Sequence, residues 1–200
     1  MPGWTFFKKS CKENSLKTAL LLIDLQNDYF PGWKNPLVGS LQAATQAAEL
    51  LAYFRQNGLP VVHIQHLSTQ PGASFFLPGT PGAEIYPAVQ PLADEIVIEK
   101  YYPNSFRETN LLDRLQSLEI ERLVVSGMMT HMCLDAGVRA AVDLGFKCMV
   151  AGDACATKDL AYAGQVVPAA QVHAAFLAAL SAAYAQVVDT LGIIELLKNS

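Results

Sequence analysis

Short runs of continuous apolar residues alternate along this chain with longer segments whose apolar positions recur at helical spacing. Thr18 to Leu25, built on Ala19-Leu-Leu-Leu-Ile23, reads as a buried strand, and Leu41 to Gln56 as a helix stopped by Asn57-Gly58. Pro60 to Gln65 predicts a second strand and Glu95 to Glu99 a third, separated by a Gly/Pro-rich excursion from Ser68 to Pro91. Asn110 to Leu118 follows as a helix, Arg122 to Ser126 as a strand, and Met132 to Leu144 as a helix. Lys147 to Ala151 is the fifth strand and Ala169 to Ala185 an alanine-rich helix. Val187-Val188 is a sixth strand, with a last helix after Asp189-Thr190. Strands that are apolar on both faces and alternate with helices imply α/β architecture, with a parallel sheet covered on both sides.

Composition narrows the possibilities. A chain of 200 residues, 52% hydrophobic, can bury a core as one domain, with residues 1–17 as an N-terminal extension. A net charge of −4 without a basic stripe excludes phosphate-driven nucleic-acid binding. The first apolar run ends at Asp24, too short to cross a bilayer, and the N-terminal segment lacks the apolar core of a secretory signal. A cytoplasmic protein without membrane partners is expected. Cys11, Cys133, Cys148 and Cys155 show neither paired nor CxxC spacing, which points to free thiols.

In an open parallel sheet, sites form beyond the carboxyl ends of the strands. Asp24, Lys100 and Cys133 each follow a strand core closely, and Asp153 and Cys155 follow another. Cys133 has the most specific setting. Thr130 is suited to cap a helix N-terminus, which would put Cys133 near the third helical position, where free amides favour a thiolate and an oxyanion. Cys148, inside an apolar strand, and Cys155 read as packing residues. Asp24 is a candidate general base, and Lys100 a cation that would hold it ionised. Asp153 is placed at the site floor as a hydrogen-bonding residue and His173 in packing or an interface. No GxGxxG follows the first strand, so dinucleotide binding is not indicated.

Three segments then show a resemblance in the right order: Leu22-Ile-Asp-Leu-Gln-Asn-Asp-Tyr-Phe30, Glu99-Lys-Tyr-Tyr-Pro-Asn-Ser-Phe106 and Ser126-Gly-Met-Met-Thr-His-Met-Cys-Leu-Asp135. Together they resemble the isochorismatase-like cysteine hydrolases, a family that includes nicotinamidases and N-carbamoylsarcosine amidases. The resemblance runs from about Thr18 to Leu191. It implies a three-layer α-β-α fold on a six-stranded, mainly parallel sheet and an Asp24–Lys100–Cys133 triad. It further implies a cis peptide between Met128 and Met129, and an oxyanion hole from the amides of Met129 and Cys133. Tyr29 falls at a substrate-contact position. Homodimers or homotetramers with sites near subunit interfaces are also implied.

One departure changes the expectation. The metal-dependent nicotinamidases carry Asp-x-His after the second strand; here His66 replaces the aspartate and Ser68 the first histidine. A three-ligand cluster is lacking, so no metal or other cofactor is expected, and nicotinamide is disfavoured as substrate. His66, His131, Phe75 and Phe76 are taken as substrate-binding candidates. The reaction expected is hydrolysis of a small amide or carbamoyl C–N bond through a thioester. Alternatives are vinyl-ether hydrolysis of the isochorismatase type and a non-catalytic oligomeric scaffold.

Overall fold

A computed structural model of the chain describes residues 16–199. Most of the expected N-terminal extension, Cys11 included, lies outside the described residues. The elements in order are β1 (Thr18–Ile23), α1 (Ser40–Gln56), β2 (Val61–His66), β3 (Ile96–Lys100), α2 (Leu111–Ser117), β4 (Arg122–Met128) and α3 (Asp135–Asp143). They continue with β5 (Lys147–Ala156), β6 (Leu160–Tyr162), β7 (Gln165–Val167), α4 (Ala169–Ala183), β8 (Ala185–Val188) and α5 (Thr190–Lys198).

Six strands form one sheet in the order β3-β2-β1-β4-β5-β8, and every pairing is parallel. The reason begins in β1, whose six residues are all buried. Leu20 and Leu22 join the core beneath α1 and α5, through Ala43, Ala47, Leu50, Phe54 and Ile193. Ala19, Leu21 and Ile23 face the opposite core, with Leu115 of α2, Val138 of α3 and Leu180 of α4. Alternate residues of one strand thus anchor both helical layers, each buried leucine contributing about 1.5–3 kcal/mol before entropy is subtracted. The predicted three-layer α-β-α fold is the fold observed.

The strand order reverses between β1 and β4, which opens a crevice at their carboxyl ends. The two strands run unusually close there. Gly127 has φ 141°, and a Cβ at that position would collide with the Ile23 backbone. Three local features differ from the sequence reading. β5 continues past Ala151 to Ala156 through a register shift opposite Val125 and Gly127. An antiparallel hairpin, β6–β7, occupies a stretch assigned no element. The segment before α3 is a π-helical turn, Thr130–Leu134, flanked by Met129 in extended conformation.

Candidate active site

Asp24, Lys100 and Cys133 meet at the crevice. Asp24 is the first residue beyond β1; it adopts φ 52° and is fully buried. Lys100 closes β3, is also fully buried, and places Nζ 3.0 Å from Asp24 Oδ2. The same ammonium donates to Pro103 O at 2.9 Å. The groups that face the Asp24 carboxylate are the Lys100 ammonium and the Cys133 thiol, and among the described residues no backbone amide donates to it. A buried carboxylate not tied up by backbone amides, with a thiol beside it, has capacity to take a proton.

Cys133 sits in the π turn after β4 and is 3% exposed. Its thiol is held well above the ordinary thiol range, chiefly by burial and further by the Asp24 charge, with Lys100 opposing. This corrects the expectation of a resting thiolate. Thr130 is not a helix cap either: its hydroxyl donates to Ala156 O at 3.2 Å and lies 2.9 Å from His173 Nδ1. Cys133 is therefore a neutral thiol beside an ionic pair. Burial acts to lower the Lys100 pKa, but the Asp24 charge and its contact with the ammonium help outweigh it and leave it raised.

Above the thiol opens a cavity of about 400 Å³. Its walls include Tyr29, His66, Phe75 and Phe76, four of the residues proposed from sequence, together with Met129. Tyr29 and Phe76 lie with ring centroids 4.5 Å apart, and Phe75 packs 5.0 Å from Phe76. His66 Nδ1 is 3.9 Å from Asp24 Oδ2, and burial depresses its pKa, so the ring is neutral near pH 7. The Met128–Met129 peptide is cis.

His131 is not brought into this cavity. Its Nδ1 lies 2.5 Å from Thr157 Oγ1 and its ring meets Phe176 edge-on. Adjacent residues of a helical turn point in different directions, so proximity to Cys133 in sequence did not carry His131 to the pocket. Asp153 is likewise elsewhere, accepting from the amide and hydroxyl of Thr190 at the start of α5. Cys155 is buried in the core, its thiol pushed up to about 12 by burial and donating to Ala151 O at 3.1 Å. Cys148 is raised to about 12 for the same reason. Both read as packing residues.

Sequence reasoning missed Tyr101, Pro103 and Met132 as lining residues, although all three flank triad positions. It also missed the latch that holds the long loop. Gln26 Oε1 accepts from the His66 amide at 2.7 Å, while its Nε2 donates to Ala83 O at 2.7 Å. Asp28 Oδ2 accepts from the Phe76 amide at 2.6 Å, and Phe76 is held at φ 55°. A Cβ on Gly82 would collide with the Asp28 carboxylate, so the loop closes over Asp28 only with glycine there.

Among the described residues, Asp24, His66 and Cys133 bring one ligand atom each to within 4.8 Å of one another, a grouping a metal could use. The Lys100 ammonium, in contact with Asp24, opposes a second cation at that point.

Residues 18–191 match the family described as the isochorismatase domain. A Bacillus subtilis isochorismatase family protein, YddQ, is 51% identical over 175 residues, covering 88% of this chain and 97% of its own. The crystal structure of an isochorismatase hydrolase from Oleispira antarctica superposes with a TM-score of 0.87 at 57% identity, covering 90% and 96% of the two chains. The maleamate amidohydrolase of Pseudomonas putida is 32% identical over 148 residues, 67% of this chain and 70% of its own.

Proposed function

The chain belongs to the isochorismatase family of hydrolases, whose relatives act on amide C–N bonds, and we propose that it cleaves a small amide or carbamoyl compound through a Cys133 thioester. The observation that carries this reading is the buried Asp24 carboxylate held between the Lys100 ammonium and the Cys133 thiol, with no backbone amide among the described residues donating to it.

Asp24 removes the Cys133 proton as sulfur attacks the substrate carbonyl carbon. Lys100 pairs with Asp24 beforehand and offsets the charge that passes to sulfur. The carbonyl oxygen, now an anion, is received by the amides of Met129 and Cys133. The C–N bond then breaks, the leaving nitrogen takes the proton from Asp24, and the acyl group remains on sulfur. Asp24 next deprotonates a water molecule, which attacks the thioester. The C–S bond breaks and Cys133 recovers its proton, releasing the acid. Tyr29, His66, Phe75 and Phe76 form the substrate-contacting walls.

The test is rapid-quench mass spectrometry during ammonia release from a panel of small amides. A mass increase on the peptide containing Cys133 is expected, and Cys133→Ala should lower kcat/KM by about 10³-fold or more. Turnover by Cys133→Ala at the parent rate would sink the scheme. Loss of activity in Asp24→Asn alone, with Cys133→Ala active, would instead point to the vinyl-ether reaction.

A homo-oligomer in the cytoplasm completes the proposal. Helix α4 carries no charged side chain, and much of its alanine surface is exposed in the single chain. No helix among the described residues is long and apolar enough to cross a membrane. Light scattering coupled to size exclusion tests the association; a monomer at micromolar concentration would remove it.

A further inference from the structure

We propose that the substrate's acyl portion is uncharged, flat and apolar, and that the site turns away amides bearing a second carboxylate. This deepens the amide-hydrolase reading and rests on it.

The first observation is what the cavity walls lack. Among the described residues, no lysine or arginine lines the cavity. Lys100 lies at the floor, but its ammonium is engaged by Asp24 Oδ2 and by Pro103 O, and the side chain is fully buried. It offers nothing to a carboxylate higher in the pocket. His66 is the one other basic group on the wall, and burial keeps its ring neutral.

The second observation is the sign of the field. Asp24 and Asp28 are both buried, with no cation beside them among the described residues but Lys100, which pairs with Asp24. Among the described residues Asp28 has no cationic partner; it accepts the Phe76 amide, and its Oδ1 has no hydrogen bond. The Tyr29 hydroxyl lies in the same surroundings, its pKa raised chiefly by burial and also by the Asp24 and Asp28 charges. The two buried carboxylates repel a further carboxylate over several ångströms.

The third observation is positive. Tyr29, Phe75, Phe76 and Tyr101 contribute aromatic faces to the cavity, and Met129 and Met132 add polarizable thioether side chains. Such walls match the two faces of a planar ring or conjugated chain, with its carboxamide directed down to Cys133.

The experiment compares benzamide, 4-methylbenzamide and 4-carbamoylbenzoate. Ammonia release gives kcat/KM for the parent protein, and calorimetry on Cys133→Ala gives affinity without requiring turnover. The two neutral amides should be hydrolysed with similar kcat/KM and 4-carbamoylbenzoate about tenfold less efficiently or worse, with a matching affinity ratio. Ser68→Lys, which adds a cation to the cavity wall, should narrow the gap. Equal or better use of 4-carbamoylbenzoate overturns the inference, and so does failure of both neutral amides to bind. Selective binding of neutral amides without hydrolysis keeps the inference and removes the hydrolase scheme alone.

Discussion

Strands β2 and β3 carry a charged cluster at each end, and the two clusters obey opposite rules. At the amino ends, Glu95 accepts from Arg55 Nε at 2.7 Å, from Arg55 Nη2 at 2.8 Å and from the Leu92 amide at 2.9 Å, and pairs with His63 Nε2 at 2.9 Å. At the carboxyl ends, Asp24 is buried more deeply yet meets only the Lys100 ammonium, the Cys133 thiol and the more distant His66 among the described residues, with no backbone amide donating to it. A saturated carboxylate holds structure together, whereas an unsaturated one is held ready for a proton. The same strand thus supplies His63 to a structural network and His66 to a reactive one.

That contrast can be broken by substitution. The largest expected effect is on turnover. Asp24→Asn should reduce kcat/KM by about 10²–10⁴-fold, while Glu95→Gln should leave it within about twofold. Steady-state kinetics of the two variants decides the matter, and comparable losses would erase the distinction between the clusters.

Next comes stability. Asp24→Asn leaves the Lys100 ammonium buried without its partner, at a cost of about 3–5 kcal/mol. Adding Lys100→Met should recover most of that loss with activity still absent. Glu95→Gln should cost about 1–3 kcal/mol, since it disturbs hydrogen bonds that were satisfied. Urea unfolding measures all three, and an Asp24→Asn/Lys100→Met protein no more stable than Asp24→Asn would contradict the assignment of an ion pair.

The smallest effect is in pH dependence. Arg55, first among several causes, lowers the Glu95 pKa from 4.5 to about 2. A depressed folded-state pKa stabilises the fold above the unfolded value, and that contribution is lost as pH falls from 4.5 towards 2. The stability gap between the parent protein and Glu95→Gln should therefore close across that interval. A gap unchanged down to pH 2 would mean that Glu95 is not the titrating partner.

The sheet was legible because its strands announce themselves. Ala19-Leu-Leu-Leu-Ile23 can be buried on both faces only between two helical layers, and Leu123-Val-Val behaves the same way beside it. The hairpin from Leu160 to Val167 escaped notice for the opposite reason. Its strands are three residues each, and Tyr162 and Val166 are exposed, so no burial pattern marks them. Asp28 escaped because its partners, Phe76 and Gly82, come from the loop, and no spacing rule relates them. His131 misled because adjacency to Cys133 says nothing about direction in a π turn.

Local sequence alone determined which segments become strands and that an acid, an amine and a thiol stand just past strand ends, since both follow from apolar periodicity. Only the tertiary structure decided the protonation of that thiol, the meeting of Asp24 with Lys100 and Cys133, and the lack of lysine and arginine among the described residues of the cavity wall. Those properties depend on what is excluded from each group's surroundings. Desolvation and charge are set by neighbours that are distant along the chain and meet only when the sheet assembles.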